Sequence, residues 1–211
     1  ATQENKHLAE AWFNWGGILA ERADAASPEE ENAFWNDAQE KFRRATQENE
    51  HLAEAWGDWG TLLAKRADAA SSEERNAFWD AAQEKYRRAT QENEHLAEVW
   101  FNWGLLLAKR ADAASSPEEQ NAFWDDAQEK FRRAASLEPA LPAYNQACLL
   151  ALRGRSVEDI LKYLDISLEG GRLPSLQHIQ EDPRLSAIRE TPEFKAFIEK
   201  VKALNRAKDK A

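Results

Sequence analysis

Apolar residues recur three and four positions apart from the start of the chain. Leu8, Trp12, Trp15, Leu19, Ala23 and Ala26 fall on one stripe, which predicts an amphipathic helix from roughly Lys6 to Ala26. Ser27-Pro28-Glu29-Glu30 follows, with a Ser suited to capping, a Pro suited to the first helical turn and a Glu placed to bond back to the cap amide. A second helix then carries Phe34, Trp35, Ala38, Phe42 and Ala45 at the same spacing, with Arg43-Arg44 near its end, where the helix dipole favours positive charge. The unit is a helical hairpin.

This hairpin is written three times. Ala1-Thr2-Gln3-Glu4-Asn5 returns as Ala45 to Asn49 and Ala89 to Asn93, a period of 44 residues, and the third unit gains one residue around Ser115-Ser116-Pro117. The pairs Trp12/Trp15, Trp56/Trp59 and Trp100/Trp103 are each followed by glycine, and the caps return at Ser71 with Glu74 and Ser116 with Glu119. Ala1 aligns with the end of a second helix, and the chain contains no Met. The expectation is therefore a trimmed or processed chain, cut from within a longer array or missing its first helix. From Leu141 the unit shortens: Tyr144 to Cys148 opens a helix, Gly154 breaks it, Ser156 to Asp159 starts another and Gly170-Gly171 ends it. Asp182-Pro183-Arg184-Leu185 and Thr191-Pro192-Glu193-Phe194 read as two further helix starts, with Lys200, Lys202, Arg206, Lys208 and Lys210 facing water.

Trp12-x2-Trp15-Gly16-x2-Leu19 followed by Ala38-x3-Phe42 and Ala45 resembles the tetratricopeptide repeat (TPR), as do Trp56, Trp59, Gly60 and Leu63 with Ala82 and Tyr86, and Trp100, Trp103, Gly104 and Leu107 with Ala127 and Phe131. The usual repeat has about 34 residues, so the extra residues here lengthen both helices, and the proline that usually closes the second helix appears only at Pro139. The resemblance implies an all-α solenoid of hairpins wound as a right-handed superhelix. Residues 1–140 would form three long repeats, 141–171 one ordinary repeat and 172–211 the capping helices.

Composition narrows the function classes. The formal net charge of −10 disfavours nucleic acid as a partner, and no apolar run reaches the ~20 residues of a membrane span. A lone Cys148 excludes an internal disulfide and a Cys-rich metal site. No signal peptide is visible, and the chain reads as soluble, with the cytoplasm favoured.

No Ser-His-Asp spacing, phosphate-binding Gly loop or activated Cys is present, so the expectation is no catalysis, no metal and no cofactor. His7, His51 and His95 recur once per repeat, about 10 Å or more apart by helix-packing distances, too far to share a zinc. The nine tryptophans read as packing residues that hold the register of neighbouring hairpins. The other reading makes Trp35, Trp79 and Trp124 a ladder of exposed rings.

The sharpest functional signal is where the three long copies differ. Phe13/Gly57/Phe101, Asn14/Asp58/Asn102, Gly17/Thr61/Leu105 and Glu21/Lys65/Lys109 share one face of the first helix. In the family that face lines a concave groove that binds extended segments, and Asn145 would continue it. One branch of the family clamps the C-terminal carboxylate of chaperones with cations along this face. Here Glu10, Glu54 and Glu98 stand there instead, so a chaperone tail is disfavoured and a basic or mixed apolar protein segment is the expected partner. The chain therefore reads as a protein-protein interaction scaffold. The rival is a structural array that self-associates through its open N-terminal end. A consensus-built repeat protein without a natural ligand is a third reading, prompted by the fidelity of the copies and opposed by the irregular C-terminal unit.

Overall fold

The computed structural model describes residues 3–208, which contain ten α-helices and one 3-10 turn, with no β-strand among the described residues. The chain divides into two compact units, Ala1–Leu106 and Leu107–Ala211. The first holds α1 (Gln3–Asp24), α2 (Pro28–Glu48), α3 (Ala53–Ala69), α4 (Ser72–Glu92) and the start of α5 (Ala97–Asp112). Helix α1 packs on α2 and α3 on α4, and both α1 and α2 touch α3.

A missing side chain sets the closest approach within each of the first two hairpins. A Cβ on Gly16 would lie 2.8 Å from the ring of Phe42, and one on Gly60 would lie 2.8 Å from the ring of Tyr86. In these two hairpins the glycine after the tryptophan pair thus lets the second helix's aromatic press onto the first helix's backbone. Ala38, Phe42 and Ala45 are buried, as are Ala82, Tyr86 and Ala89. Each tryptophan pair is a near-parallel stack: ring centroids are 5.5 Å apart in Trp12/Trp15, 5.7 Å in Trp56/Trp59 and 5.7 Å in Trp100/Trp103. Lys41 lies 4.2 Å from the Trp15 centroid and Lys85 4.1 Å from that of Trp59, cation–π contacts that hold the plates against the second helix. The leading ring also ties the hairpin to its entry loop, as Trp56 Nε1 donates to Glu50 O and Trp100 Nε1 to Glu94 O, both at 2.8 Å.

Two local expectations change. Helix α1 spans Gln3–Asp24, starting about a turn earlier and ending two residues sooner than the stripe implies. The capping box is only half formed: Ser71 and Ser116 accept from the backbone N–H of Glu74 and Glu119, but Ser27 makes no such bond. The glutamates do not reach back to the cap amide. Glu30 and Glu74 take the Ser27 and Ser71 hydroxyl protons, and Glu119 accepts from Ser115 N. Trp35 and Trp79 are buried and Trp124 is half-buried, as expected of packing residues and not of an exposed ladder. Lengthening both helices of a hairpin extends the core between them. Trp35 accordingly faces Arg66 and Ala69 of α3 across a small cavity of ≈ 240 Å³.

The second unit holds the end of α5, then α6 (Pro117–Leu137), α7 (Ala143–Leu152), α8 (Val157–Glu169), α9 (Leu176–Glu181), the 3-10 turn Pro183–Leu185 and α10 (Pro192–Lys208). Helices α7 and α8 end at residues whose following glycines, Gly154 and Gly171, take φ of 62° and 69°, a left-handed conformation that disfavours a Cβ. One core joins Tyr144, Cys148 and Ala151 of α7 and Ile160 and Leu164 of α8 to Ile179, Leu185, Phe194, Phe197 and Ile198 of the closing segments. The closing region differs from the sequence expectation in one respect. Asp182 caps only a 3-10 turn, and the added short helix α9 is capped by Ser175, which accepts from His178 N. Lys200 pairs with Asp165 and Lys202 with Glu199, and Arg206 is exposed. The Lys208 side chain and Lys210 lie outside the described residues.

Candidate functional site

In the first unit Gly17, Glu21, Asp58, Thr61 and Lys65 come together. With Ala20, Asp24, Phe42 and Leu62 they line one cleft of ≈ 170 Å³ between α1 and α3. Phe42 and Leu62 are buried and form its apolar floor. A Cβ on Gly17 would meet nothing within 4 Å, so this glycine leaves open space. Lys65 Nζ stands 2.9 and 2.6 Å from the two Asp24 oxygens, closing one side with an ion pair between neighbouring hairpins.

The other side is a hydroxyl network. Thr61 Oγ1 donates to Gly57 O at 3.2 Å and accepts from the Tyr86 hydroxyl at 3.3 Å and from Asn102 Nδ2 at 3.4 Å. Burial pushes the Tyr86 phenol above its ordinary range, so it stays a donor. Asp58 keeps accessible surface yet is recessed among its neighbours. Desolvation first, then the charges of Glu98 and Glu54, push its carboxyl up to about 6. The recess gathers three carboxylates, Glu21, Asp24 and Asp58, against the one cation Lys65.

The remaining residues of the divergent face are scattered in character. Phe13 is half-buried with its ring 6.3 Å from that of Phe42, and Asn14 is exposed. Gly57 is buried, and a Cβ there would lie 2.7 Å from Val99 Cγ2, so it makes room for α5. Phe101, Asn102 and Leu105 are half-buried. Lys109 and Asn145 belong to the second unit, where Lys109 is exposed and Asn145 Oδ1 accepts from Arg184 Nη1 at 3.4 Å.

That contact leads to a buried polar cluster in the second unit. Asp182 is buried and accepts from the Tyr144 hydroxyl at 2.7 Å and from Arg184 Nη2 at 2.6 Å, and the Cys148 thiol lies 3.7 Å away. Burial opposes ionisation of Asp182, but bonds from Arg184 and Tyr144 outweigh it and hold the carboxyl below the ordinary range. Burial pushes the Cys148 thiol up to about 12, which leaves it protonated and a poor nucleophile. The cluster fastens the closing segment to α7. Among the described residues no group of three or more His, Cys, Asp or Glu is arranged to hold a metal. His51 instead places Nδ1 2.7 Å from Glu92 Oε2.

Phe42 and Leu62 vary conservatively among the copies, as Phe42/Tyr86/Phe131 and Ile18/Leu62/Leu106, and comparison among the copies misses Asp24. Asp24 recurs as Asp68 and Asp112, so a search for differences passes over it. A helical-wheel reading finds it, because it follows Gly17 and Glu21 on the same stripe. No known protein family matches the sequence, and no curated protein is significantly similar to it.

Proposed function

We propose that the chain is a non-catalytic protein-interaction scaffold of the TPR type, a right-handed solenoid of hairpins whose first-helix faces take an extended segment of a partner. The cleft of the first unit supports this reading most directly. Five residues that diverge among the copies line one recess with an apolar floor and three carboxylates, Glu21, Asp24 and Asp58, of which Lys65 neutralises only Asp24. An apolar anchor would sit over Phe42 and Leu62, and an adjacent Lys or Arg of the partner would meet Asp58 and Glu21. Asp58, whose value is raised first by desolvation and then by the charges of Glu98 and Glu54, is a carboxylate that such a cation would stabilise.

The test is titration calorimetry with a panel of short peptides of alternating Leu and Lys or Arg, and a control in which Glu replaces the basic residues. Basic-apolar peptides should bind and weaken with added salt. Gly17→Leu, which fills the open space, should reduce affinity about tenfold or more. Equal binding of the acidic control, or no effect of Gly17→Leu, would sink the reading.

A further inference from the structure

The cavity of ≈ 240 Å³ beside Trp35 lies between the first two hairpins, with α2 on one side and α3 and α4 on the other. It shares no lining residue with the cleft between α1 and α3. A space of about 150 Å³ is enough for a benzene-sized ligand, so this one has room for a small molecule. Trp35, buried, and Phe78, half-buried, give it aromatic walls.

Two opposite charges line the cavity without meeting. Arg66 comes from the last turn of α3 and Glu74 from the first turn of α4, and no ion pair joins them among the described residues. Each is held in place by a neighbour. Arg66 Nη1 donates to Gln39 Oε1 at 2.9 Å, and its guanidinium lies over the Phe78 ring at 4.8 Å. Glu74 Oε2 accepts from the Ser71 hydroxyl at 3.1 Å. Arg66 keeps further N–H groups, and Glu74 a second oxygen, to offer a ligand. Burial disfavours the Arg66 charge, and the charge of Glu74 offsets part of that cost, so the two already interact across the gap.

We propose that the cavity binds a small zwitterion of the amino-acid class, with the ligand's carboxylate on Arg66 and its ammonium on Glu74. The planar guanidinium fork matches a carboxylate. The ammonium also meets the negative, C-terminal end of α3 at Ala69 and Ala70, and the aromatic walls favour a cation. A ligand with a single charge fits worse, because a plain carboxylate would face Glu74 and a plain amine would face Arg66. This inference is independent of the cleft and of what it binds.

Nuclear magnetic resonance titration of the isotope-labelled full chain with glycine, β-alanine and γ-aminobutyrate tests it, with butyrate and butylammonium as singly charged controls. The Trp35 indole N–H, which has no hydrogen-bond partner among the described residues, is the local probe. At least one zwitterion should shift it saturably with a Kd of about 1 mM, in keeping with so few heavy atoms, and the controls should bind about tenfold more weakly or worse. Glu74→Gln keeps an acceptor for Ser71 at an exposed position, so its melt should be unchanged while the preference for the zwitterion over butyrate disappears. Lys65→Gln, in the cleft, should leave the titration as it is. No saturable shift with any of the three zwitterions, controls that bind as tightly, an undiminished preference in Glu74→Gln, or a response that Lys65→Gln removes would overturn the proposal.

Discussion

The Tyr86 hydroxyl is 3.3 Å from Thr61 Oγ1, and each of these residues carries a hydroxyl that its counterparts in the first and third hairpins lack. The first and third copies carry Phe42 with Gly17 and Phe131 with Leu105, where no phenol needs a partner. Divergence at position 61 is thus tied to the core behind it. Thr61→Val should leave the buried phenol short of an acceptor and cost about 1–3 kcal/mol. Adding Tyr86→Phe should recover most of the loss, and chemical denaturation of the four proteins in the cycle measures the coupling.

Adjacent glycines on α1 should respond in opposite ways. Gly16→Ala drives a methyl group into the Phe42 ring, and overpacking of this kind costs about 1–3 kcal/mol. Gly17→Ala meets open space and should stabilise by about 0.5–1 kcal/mol through helix propensity alone. Thermal melts that rank the two variants the other way would refute the assignment of faces on α1.

Asp58 carries a raised value in the folded state, so the fold binds its proton more tightly than the unfolded chain does. That contribution is fully present below the ordinary Asp value and is lost as pH rises through about 6. Lowering pH from about 7.5 to 5 should therefore stabilise the wild type more than Asp58→Asn. At the upper end the variant should be the more stable of the two, by under about 1 kcal/mol because the carboxylate keeps solvent contact. Parallel pH profiles for the two proteins would contradict this.

Asp182 has the opposite sign. Its value is depressed in the fold, so its contribution is present above the ordinary carboxylate range and disappears as pH falls through the folded value. Asp182→Asn at neutral pH should destabilise the second unit by somewhat less than the ~3–5 kcal/mol of a fully buried pair, because Arg184 is partly in water. Hydrogen exchange should quicken in α7 and α10 while α1 to α4 stay protected. Uniform loss of protection would mean that the two units unfold together.

The all-helical architecture and the pairing of the long helices were legible in the chain. Three-and-four spacing of apolar residues, Ser-Pro starts and glycine after each tryptophan pair are local signals, and helix formation within a hairpin is governed locally. Helical periodicity also placed Gly17 and Glu21 on one face of α1 and Asp58, Thr61 and Lys65 on the equivalent face of α3, but that the two faces meet in one cleft depends on how the hairpins pack.

Tertiary structure decided what depends on a neighbour outside the repeat. Gly57 differs from Phe13 and Phe101 because Val99 of the next helix needs its space, a contact that no comparison of equivalent positions can see. Trp15 and Trp59 share a pattern and a ring-stacking arrangement, yet one is exposed and the other buried, because burial is set by what lies in front of the helix and not by the helix itself. Asp182 read as an ordinary helix start, and only folding brings Tyr144 and Arg184 onto it. The sequence by itself determined which residues share a helix face, because side-chain direction follows from backbone periodicity. Which of those faces are covered, and which charges are paired, was decided by packing between segments far apart in the chain.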